Sequence, residues 1–276
     1  MKILIAGHSH VGSMILAAAR MPMPEGLTLD FLRLSKFPDA PGFQKPGARD
    51  PSGLPRTRPP ADRRAIRELS DATSAAIGEA IATHRPDRIV LAVMGNEYNG
   101  LVMVRHPDPF DFVSPHGPED MTEGFDVIPF AAIRDRVAQV ISVNTALFVQ
   151  DFADHFDGPI DVLVPPPPIP DADHIMSNPG KFGDRAREYG INPALLRLKV
   201  WRLYAATLGD TVAAMGRDDI RVLTAPARAL DAQGCLDESC WSGDPTHANQ
   251  RYGRMLLQRL LRQTGFQPVR ANAEPL

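Results

Sequence analysis

The residues best suited to chemistry begin with Gly7-His8-Ser9-His10, which directly follows an apolar run at residues 2–6. A serine at a turn from strand into helix faces the positive end of the helix. Free backbone N–H groups there stabilise a developing alkoxide or oxyanion. Ser9 is therefore a candidate nucleophile. Serine is also a favoured N-cap residue, so a capping role is the alternative interpretation.

Asp244 and His247 stand three residues apart in Asp-Pro-Thr-His, near the end of the chain. A catalytic histidine needs a carboxylate that fixes its tautomer and stabilises the imidazolium. At a helix start, this separation lets the carboxylate of Asp244 reach the ring of His247. An Asp followed by Pro is also a favoured helix start, and the two interpretations are compatible.

Asn96 follows the longest apolar run of the central part of the chain, in Met-Gly-Asn-Glu-Tyr-Asn. A carboxamide at such a point can donate an N–H to an oxyanion. Asn and Gly are equally the residues of an ordinary turn, so this segment alone does not separate the two roles.

The elements that position these residues alternate between strand and helix. Short, mostly apolar segments predict strands at residues 2–6, 88–94, 161–164 and 220–224, and alternating apolar and polar residues predict another at residues 27–34. Helical patterns cover residues 11–20, 65–84, 130–156, 194–215 and 247–262. This alternation predicts an α/β fold, a three-layer α/β/α sandwich with a mostly parallel five-stranded sheet. Ligands bind such sheets beyond the carboxyl ends of the strands, where the polar segments above lie.

We expect a single domain over residues 1–276, with irregular Pro-rich insertions near residues 36–63 and 106–124. The residues are 43% hydrophobic and 23% charged, as in ordinary globular proteins. The net charge of -3 does not favour nucleic acid as a partner. No stretch approaches the roughly 18 apolar residues of a membrane span.

The N-terminal apolar run stops at Gly7, which is too short for a signal peptide, so we expect a cytoplasmic protein. In a reducing compartment Cys235 and Cys240 are expected to be free thiols, and a local bridge between them is the alternative.

Together, a serine after the first strand, an asparagine after a middle strand and Asp-x-x-His before the last helix resemble the SGNH (GDSL-like) hydrolases. The resemblance implies a flavodoxin-like SGNH fold. It also implies that Ser9 is the nucleophile, His247 the general base and Asp244 its orienting acid. Asn96 and the backbone N–H of Ser9 would form the oxyanion hole.

A third oxyanion donor of the family lies in a second block, which we assign to Gly42, with Ser35 and Gly47 as alternatives. Two positions depart from the family pattern. His8 replaces the Asp of Gly-Asp-Ser, and Met94 replaces the leading Gly of the third block.

The resemblance implies a serine esterase that hydrolyses an O-acyl ester, such as an acetyl ester, of a carbohydrate or small metabolite. An acyltransferase and a non-catalytic binding protein on the same fold are the alternatives. We expect no cofactor. We also expect no metal, because no carboxylate or cysteine cluster accompanies His8 and His10.

Two other classes fit less well. The nucleophile elbow G-x-S-x-G of α/β-hydrolases would need Gly where Val11 stands, and it would follow several strands rather than the first. A phosphate-binding loop would need Lys and Ser/Thr where Ser13 and Met14 stand.

Overall fold

The computed structural model describes residues 1–36, 69–115 and 120–266, and five of its strands pair into one parallel sheet. The strands are β1 (Lys2–Gly7), β2 (Thr28–Arg33), β3 (Arg88–Ala92), β4 (Phe110–Asp111), β5 (Asp126–Val127), β6 (Ile160–Leu163) and β7 (Ile220–Leu223). The helices are α1 (Val11–Ala18), α2 (Asp71–His84), α3 (Glu97–Val102), α4 (Phe130–Ser142), α5 (Thr145–His155), α6 (Ala172–Ser177), α7 (Gly183–Tyr189), α8 (Ala194–Ala213) and α9 (Gln250–Gln263).

The main sheet has the order β2-β1-β3-β6-β7, with every neighbouring pair parallel. The residues of β3 and β6 are almost all buried, since helices cover both faces of the sheet. Helices α1 and α9 pack together in one layer, while α2, α4, α5 and α8 pack in the other. The predicted three-layer fold with a mostly parallel five-stranded sheet is therefore confirmed.

The strand order reverses at β1, which pairs with β2 on one side and β3 on the other. Ligands bind parallel sheets at such switch points. Gly7 lets the ends of β1 and β3 approach closely here, because a Cβ at this residue would overlap the carbonyl oxygen of Ala92. The turns that follow the two strands are therefore neighbours.

The single helix predicted over residues 130–156 is wrong, since α4 and α5 are separate helices. Asn144 donates its Nδ2–H to the carbonyl of Val140 at 2.9 Å, near the end of α4. The carboxylate of Glu97 then accepts the backbone N–H of Thr145 at 3.2 Å, where α5 begins. These two side chains satisfy backbone groups that a helix terminus leaves without partners, so the chain can break here.

In the insertion expected at residues 106–124, β4 forms a short parallel pair with β5, which follows the insertion. The carboxylate of Asp111 anchors it: it accepts hydrogen bonds from Lys199 Nζ at 3.0 Å and from the backbone N–H of Thr122 at 2.8 Å. Burial alone would raise the pKa of Asp111, but these hydrogen bonds outweigh it and lower the pKa. The insertion is thus fastened to α8 by a fully buried ion pair. Apart from residue 36, the insertion near residues 36–63 lies outside the described residues.

The chain after β6 runs through four consecutive prolines, residues 165–168, which have no backbone N–H to donate. Side chains from two helices bind the carbonyl groups of this segment. Trp201 Nε1 donates to the carbonyl of Pro165 at 2.9 Å, and the hydroxyl of Tyr98 donates to that of Pro166 at 2.8 Å. The proline segment is therefore held rigidly at the carboxyl end of the sheet.

Over the parts of the chain that the structure describes, every helix is too short or too polar to cross a bilayer. Cys235 and Cys240 are both free and buried, and burial raises the pKa of Cys235 to about 11.

Candidate active site

Ser9 lies in the tight turn between β1 and α1. The turn is closed by backbone hydrogen bonds from Val11 N–H to the carbonyl of His8 at 3.3 Å and from Gly12 N–H to that of Ser9 at 3.0 Å. The Ser9 side chain is exposed. Its hydroxyl and its backbone N–H make no hydrogen bond within the described ranges. The N-cap position of α1 is His10, so the alternative role of Ser9 as a helix cap is wrong.

Asp244 and His247 form a close pair. His247 Nδ1 lies 2.8 Å and 2.9 Å from the two carboxylate oxygens of Asp244. The same carboxylate accepts the backbone N–H groups of Thr246 at 2.9 Å and of His247 at 3.0 Å. Burial alone would raise the pKa of Asp244, but the hydrogen bonds from His247 and Thr246 hold the pKa well below its usual range. Asp244 is therefore ionised, and its carboxylate accepts the Nδ1–H of His247.

The opposite nitrogen of this ring, His247 Nε2, is buried and has no hydrogen-bond partner among the described residues. With the proton held on Nδ1, Nε2 is the basic nitrogen. Helix α9 begins three residues after His247, at Gln250, and Asn249 is its cap. The predicted start of this helix near residue 247 is therefore too early, because Asp244 caps only the local turn.

Asn96 follows two residues with left-handed backbone, Met94 at φ 56° and Gly95 at φ 89°. It stands at the N-cap position of α3 without capping it. Its Oδ1 accepts a hydrogen bond from Asn99 Nδ2 at 3.4 Å. Its own NH₂ group has no acceptor in the described part of the chain, so it is available to a ligand oxygen.

His10 connects the three turns. Its ring lies against Gly95, where an added Cβ would overlap the ring, and against the ring of His247, with 4.6 Å between the centroids. Burial, helped by the neighbouring His247, lowers the pKa of His10 to about 3. His10 is therefore a neutral spacer between the Asn96 turn and His247.

The structure thus brings the Ser9, Asn96 and His247 turns to one edge of the sheet. It does not form a hydrogen bond between Ser9 Oγ and His247 Nε2 within the described residues. Catalytic hydrogen bonds are often long without substrate and tighten only in the substrate complex. Gly42 and Gly47, proposed for the second block, lie outside the described residues. Ser35 lies in a short helix after β2 and is exposed.

Glu97 directly follows Asn96 and is a buried acid whose partners the sequence did not indicate. Its buried carboxylate accepts hydrogen bonds from Thr145 Oγ1 at 2.7 Å and from the hydroxyl of Tyr204. Burial raises the pKa of Glu97 to about 7. The sequence indicates Glu97 only through its position directly after Asn96. Nothing local in the sequence indicates its partners, which lie on α5 and α8.

We expect Glu97 to make the protein less stable as pH rises. The folded state holds the Glu97 proton up to about pH 7, whereas the unfolded chain releases it near 4.5. The buried, protonated Glu97 therefore makes its full contribution to the free energy of unfolding below pH 4.5, and this contribution is lost as pH rises to 7. It amounts to about 2–3 kcal/mol between pH 5 and pH 8.

Urea unfolding at both pH values measures this effect. Glu97→Gln should flatten the pH dependence, while exposed Glu79→Gln should leave it as in the wild type. Equal slopes for the wild type and Glu97→Gln would show that Glu97 does not carry the proton.

A second Ser–His contact lies elsewhere, between α2 and α5. Ser74 Oγ is 3.1 Å from His155 Nε2. Asp151 interacts with Ser74, and the His155 Nδ1 side of the ring packs against Gly78. The carboxylate therefore does not orient the histidine as Asp244 does. The Ser74 backbone N–H is also bonded within the helix, to Ser70.

Among the described residues, no three His, Cys, Asp or Glu side chains lie close enough together to hold a metal ion. Burial also lowers the pKa of His8 to about 4, so this histidine beside Ser9 is neutral like His10.

No family model matches the chain, and no curated protein matches it in sequence. Solved structures do match. The periplasmic domain of a lipopolysaccharide acetyltransferase from Salmonella ser. Paratyphi A is 13% identical, with a TM-score of 0.48, over 95% of this chain and 83% of that one. A carbohydrate acetylesterase from Sinorhizobium meliloti is 12% identical, with a TM-score of 0.43, over 96% and 98%. A GDSL-like lipase from Bacteroides thetaiotaomicron is 8% identical, with a TM-score of 0.42, over 95% and 86%.

The similar solved structures thus include a GDSL-like enzyme, the class that the sequence resembles.

Proposed function

We propose that the chain is a serine esterase that cleaves a short O-acyl ester of a carbohydrate or small metabolite. One observation carries the proposal. The Asp244–His247 pair has a basic nitrogen without a partner in the described residues, and the ring of His10 contacts both His247 and the turn of Asn96, next to Ser9. A base, a candidate nucleophile and free N–H donors at one sheet edge are the parts that acyl transfer needs.

In this mechanism Ser9 Oγ attacks the ester carbonyl carbon, and its proton passes to His247 Nε2. Asp244 stabilises the resulting imidazolium. Asn96 Nδ2–H and the backbone N–H of Ser9 bind the oxyanion of the tetrahedral intermediate. Collapse of the intermediate expels the alcohol, which takes the proton from Nε2, and leaves an acyl group on Ser9. Water then repeats the sequence and releases the acid.

The test exposes the purified protein to p-nitrophenyl acetate and to a fluorophosphonate probe, with the labelled peptide located by mass spectrometry. Hydrolysis together with labelling at Ser9 supports the esterase. Labelling with slow hydrolysis that a sugar or alcohol acceptor accelerates would make the protein an acyltransferase. Neither labelling nor turnover on acylated sugars and small esters would favour a binding protein and reject the proposal.

The preference for a short acyl group is tested separately. A pocket beneath His10 and Gly95 is walled by apolar side chains including Met14, Val93 and Leu163. We assign the acyl group to this side of Ser9. The values of kcat/KM should fall from acetate through butyrate to octanoate esters of p-nitrophenol, and a rise along the series would overturn the assignment.

Asn96→Ala should lower kcat by about 10²–10³-fold, the usual effect of losing one oxyanion donor. The hydroxyl of Ser9 and the Asp244–His247 pair remain in place, so probe labelling of Ser9 should persist. Steady-state kinetics on the best ester measures the effect. A change below about twofold would remove Asn96 from the mechanism.

A further inference from the structure

His8 occupies the first position of the turn that carries Ser9, and its ring reaches across to the turn that carries Asn96. Its Nδ1 accepts the backbone N–H of Met94 at 3.0 Å. A nitrogen that accepts a hydrogen bond carries no proton, so the proton of the neutral ring lies on Nε2. The pKa of about 4 that burial gives this histidine keeps the ring neutral at physiological pH.

The rest of the ring is fixed by packing. His8 Nε2 is buried and has no N or O partner among the described residues. The ring packs edge-to-face on Phe148, with centroids 4.9 Å apart and planes at 78°. The imidazole is therefore packed against α5 while its Nδ1 binds Met94.

The residue that His8 holds is strained. Met94 has φ 56°, a left-handed conformation that residues with a Cβ adopt only at a cost in energy. Gly95 continues the left-handed turn at φ 89°, and Asn96 follows. A strained turn persists only when its surroundings hold it in place. The hydrogen bond to His8 supplies such a constraint two residues before Asn96.

We propose that His8 is a positioning residue, which places the Asn96 carboxamide for oxyanion binding by accepting the backbone N–H of Met94. It touches no reacting atom and acts through the Met94-Gly95-Asn96 turn. This role requires a hydrogen-bond acceptor at the δ position of the side chain at residue 8. Its effect on turnover presupposes the esterase activity proposed above, whereas its hold on the turn does not.

The kinetic test compares His8→Leu with His8→Asn. Leu fills similar space without an acceptor, whereas Asn Oδ1 can accept at the δ position. We expect His8→Leu to lower kcat by about 10- to 100-fold with KM little changed, as for a misplaced catalytic group. His8→Asn should recover most of the loss. His84→Asn is the matched control, because His84 ends α2 just before β3 begins, at the amino ends of the strands, and it should match the wild type.

Amide exchange of Met94, followed by NMR, gives a readout independent of turnover. The Met94 N–H should be protected in the wild type and in His8→Asn, and should exchange about tenfold faster or more in His8→Leu. Unchanged exchange in His8→Leu, or equal kcat losses in the Leu and Asn variants, would overturn the role of His8. If the wild type turns over no ester, the esterase proposal fails, while the exchange data still decide whether His8 holds the turn.

Discussion

Ser9→Ala should abolish ester turnover and fluorophosphonate labelling while leaving the fold intact. Loss of a nucleophilic serine typically lowers kcat by about 10⁶-fold, and the rate that remains comes from binding and the oxyanion hole. The side chain of Ser9 is exposed, and its hydroxyl bonds to nothing in the described residues, so the free energy of unfolding should change by about 0.5 kcal/mol or less. Ester turnover by the wild type and the variant measures kcat, and urea unfolding of both measures the free energy of unfolding.

Ser74→Ala is the matched control, since Ser74 contacts a histidine without the rest of the site. It should label and turn over as the wild type does. Persistent activity in Ser9→Ala, or a label found on Ser74, would place the nucleophile elsewhere.

Asp244→Asn should lower kcat by about 10⁴-fold with little change in structure. The Asn Oδ1 can still accept the backbone N–H groups that Asp244 Oδ1 binds at Thr246 and His247, so the turn should keep its shape. The new NH₂ group, however, would donate to His247 Nδ1 and force the ring proton onto Nε2. The histidine would then present an N–H instead of a base.

The measurement for Asp244→Asn is kcat together with far-UV circular dichroism. Asp237→Asn serves as its control, because Asp237 caps a short helix in the same segment and binds Ser239 rather than a histidine. A loss of less than about tenfold in Asp244→Asn would mean that the carboxylate does not set the tautomer during turnover.

The sequence predicted the sheet well because its signal is local. The runs that became β1, β3 and β6 are apolar along nearly their whole length, and such runs are typical of strands covered on both faces. The pairing of Asp244 with His247 was also predictable, since three residues separate them. The turn positions of Ser9 and Asn96 followed from the strand ends.

The remaining features depend on contacts between distant parts of the chain. The break between α4 and α5 is stabilised by Glu97, which precedes it by almost fifty positions. The same carboxylate meets Tyr204 on α8, which no periodic pattern connects to Asn96. The arrangement of His10 against both Gly95 and His247 likewise exists only once the turns have come together.

The proline segment at residues 165–168 has a consequence for which ligands the site admits. It lines the pocket beneath His10 with Pro165 and Pro166, which have no N–H, and their carbonyls each accept one hydrogen bond, from Trp201 and Tyr98. This wall therefore offers a ligand no backbone donor. An oxygen that can only accept, such as a carbonyl or carboxylate oxygen, would be dehydrated against it without a hydrogen bond in return. The wall thus disfavours such oxygens by chemistry rather than by size, and in the proposed esterase it suits the methyl or methylene part of an acyl group.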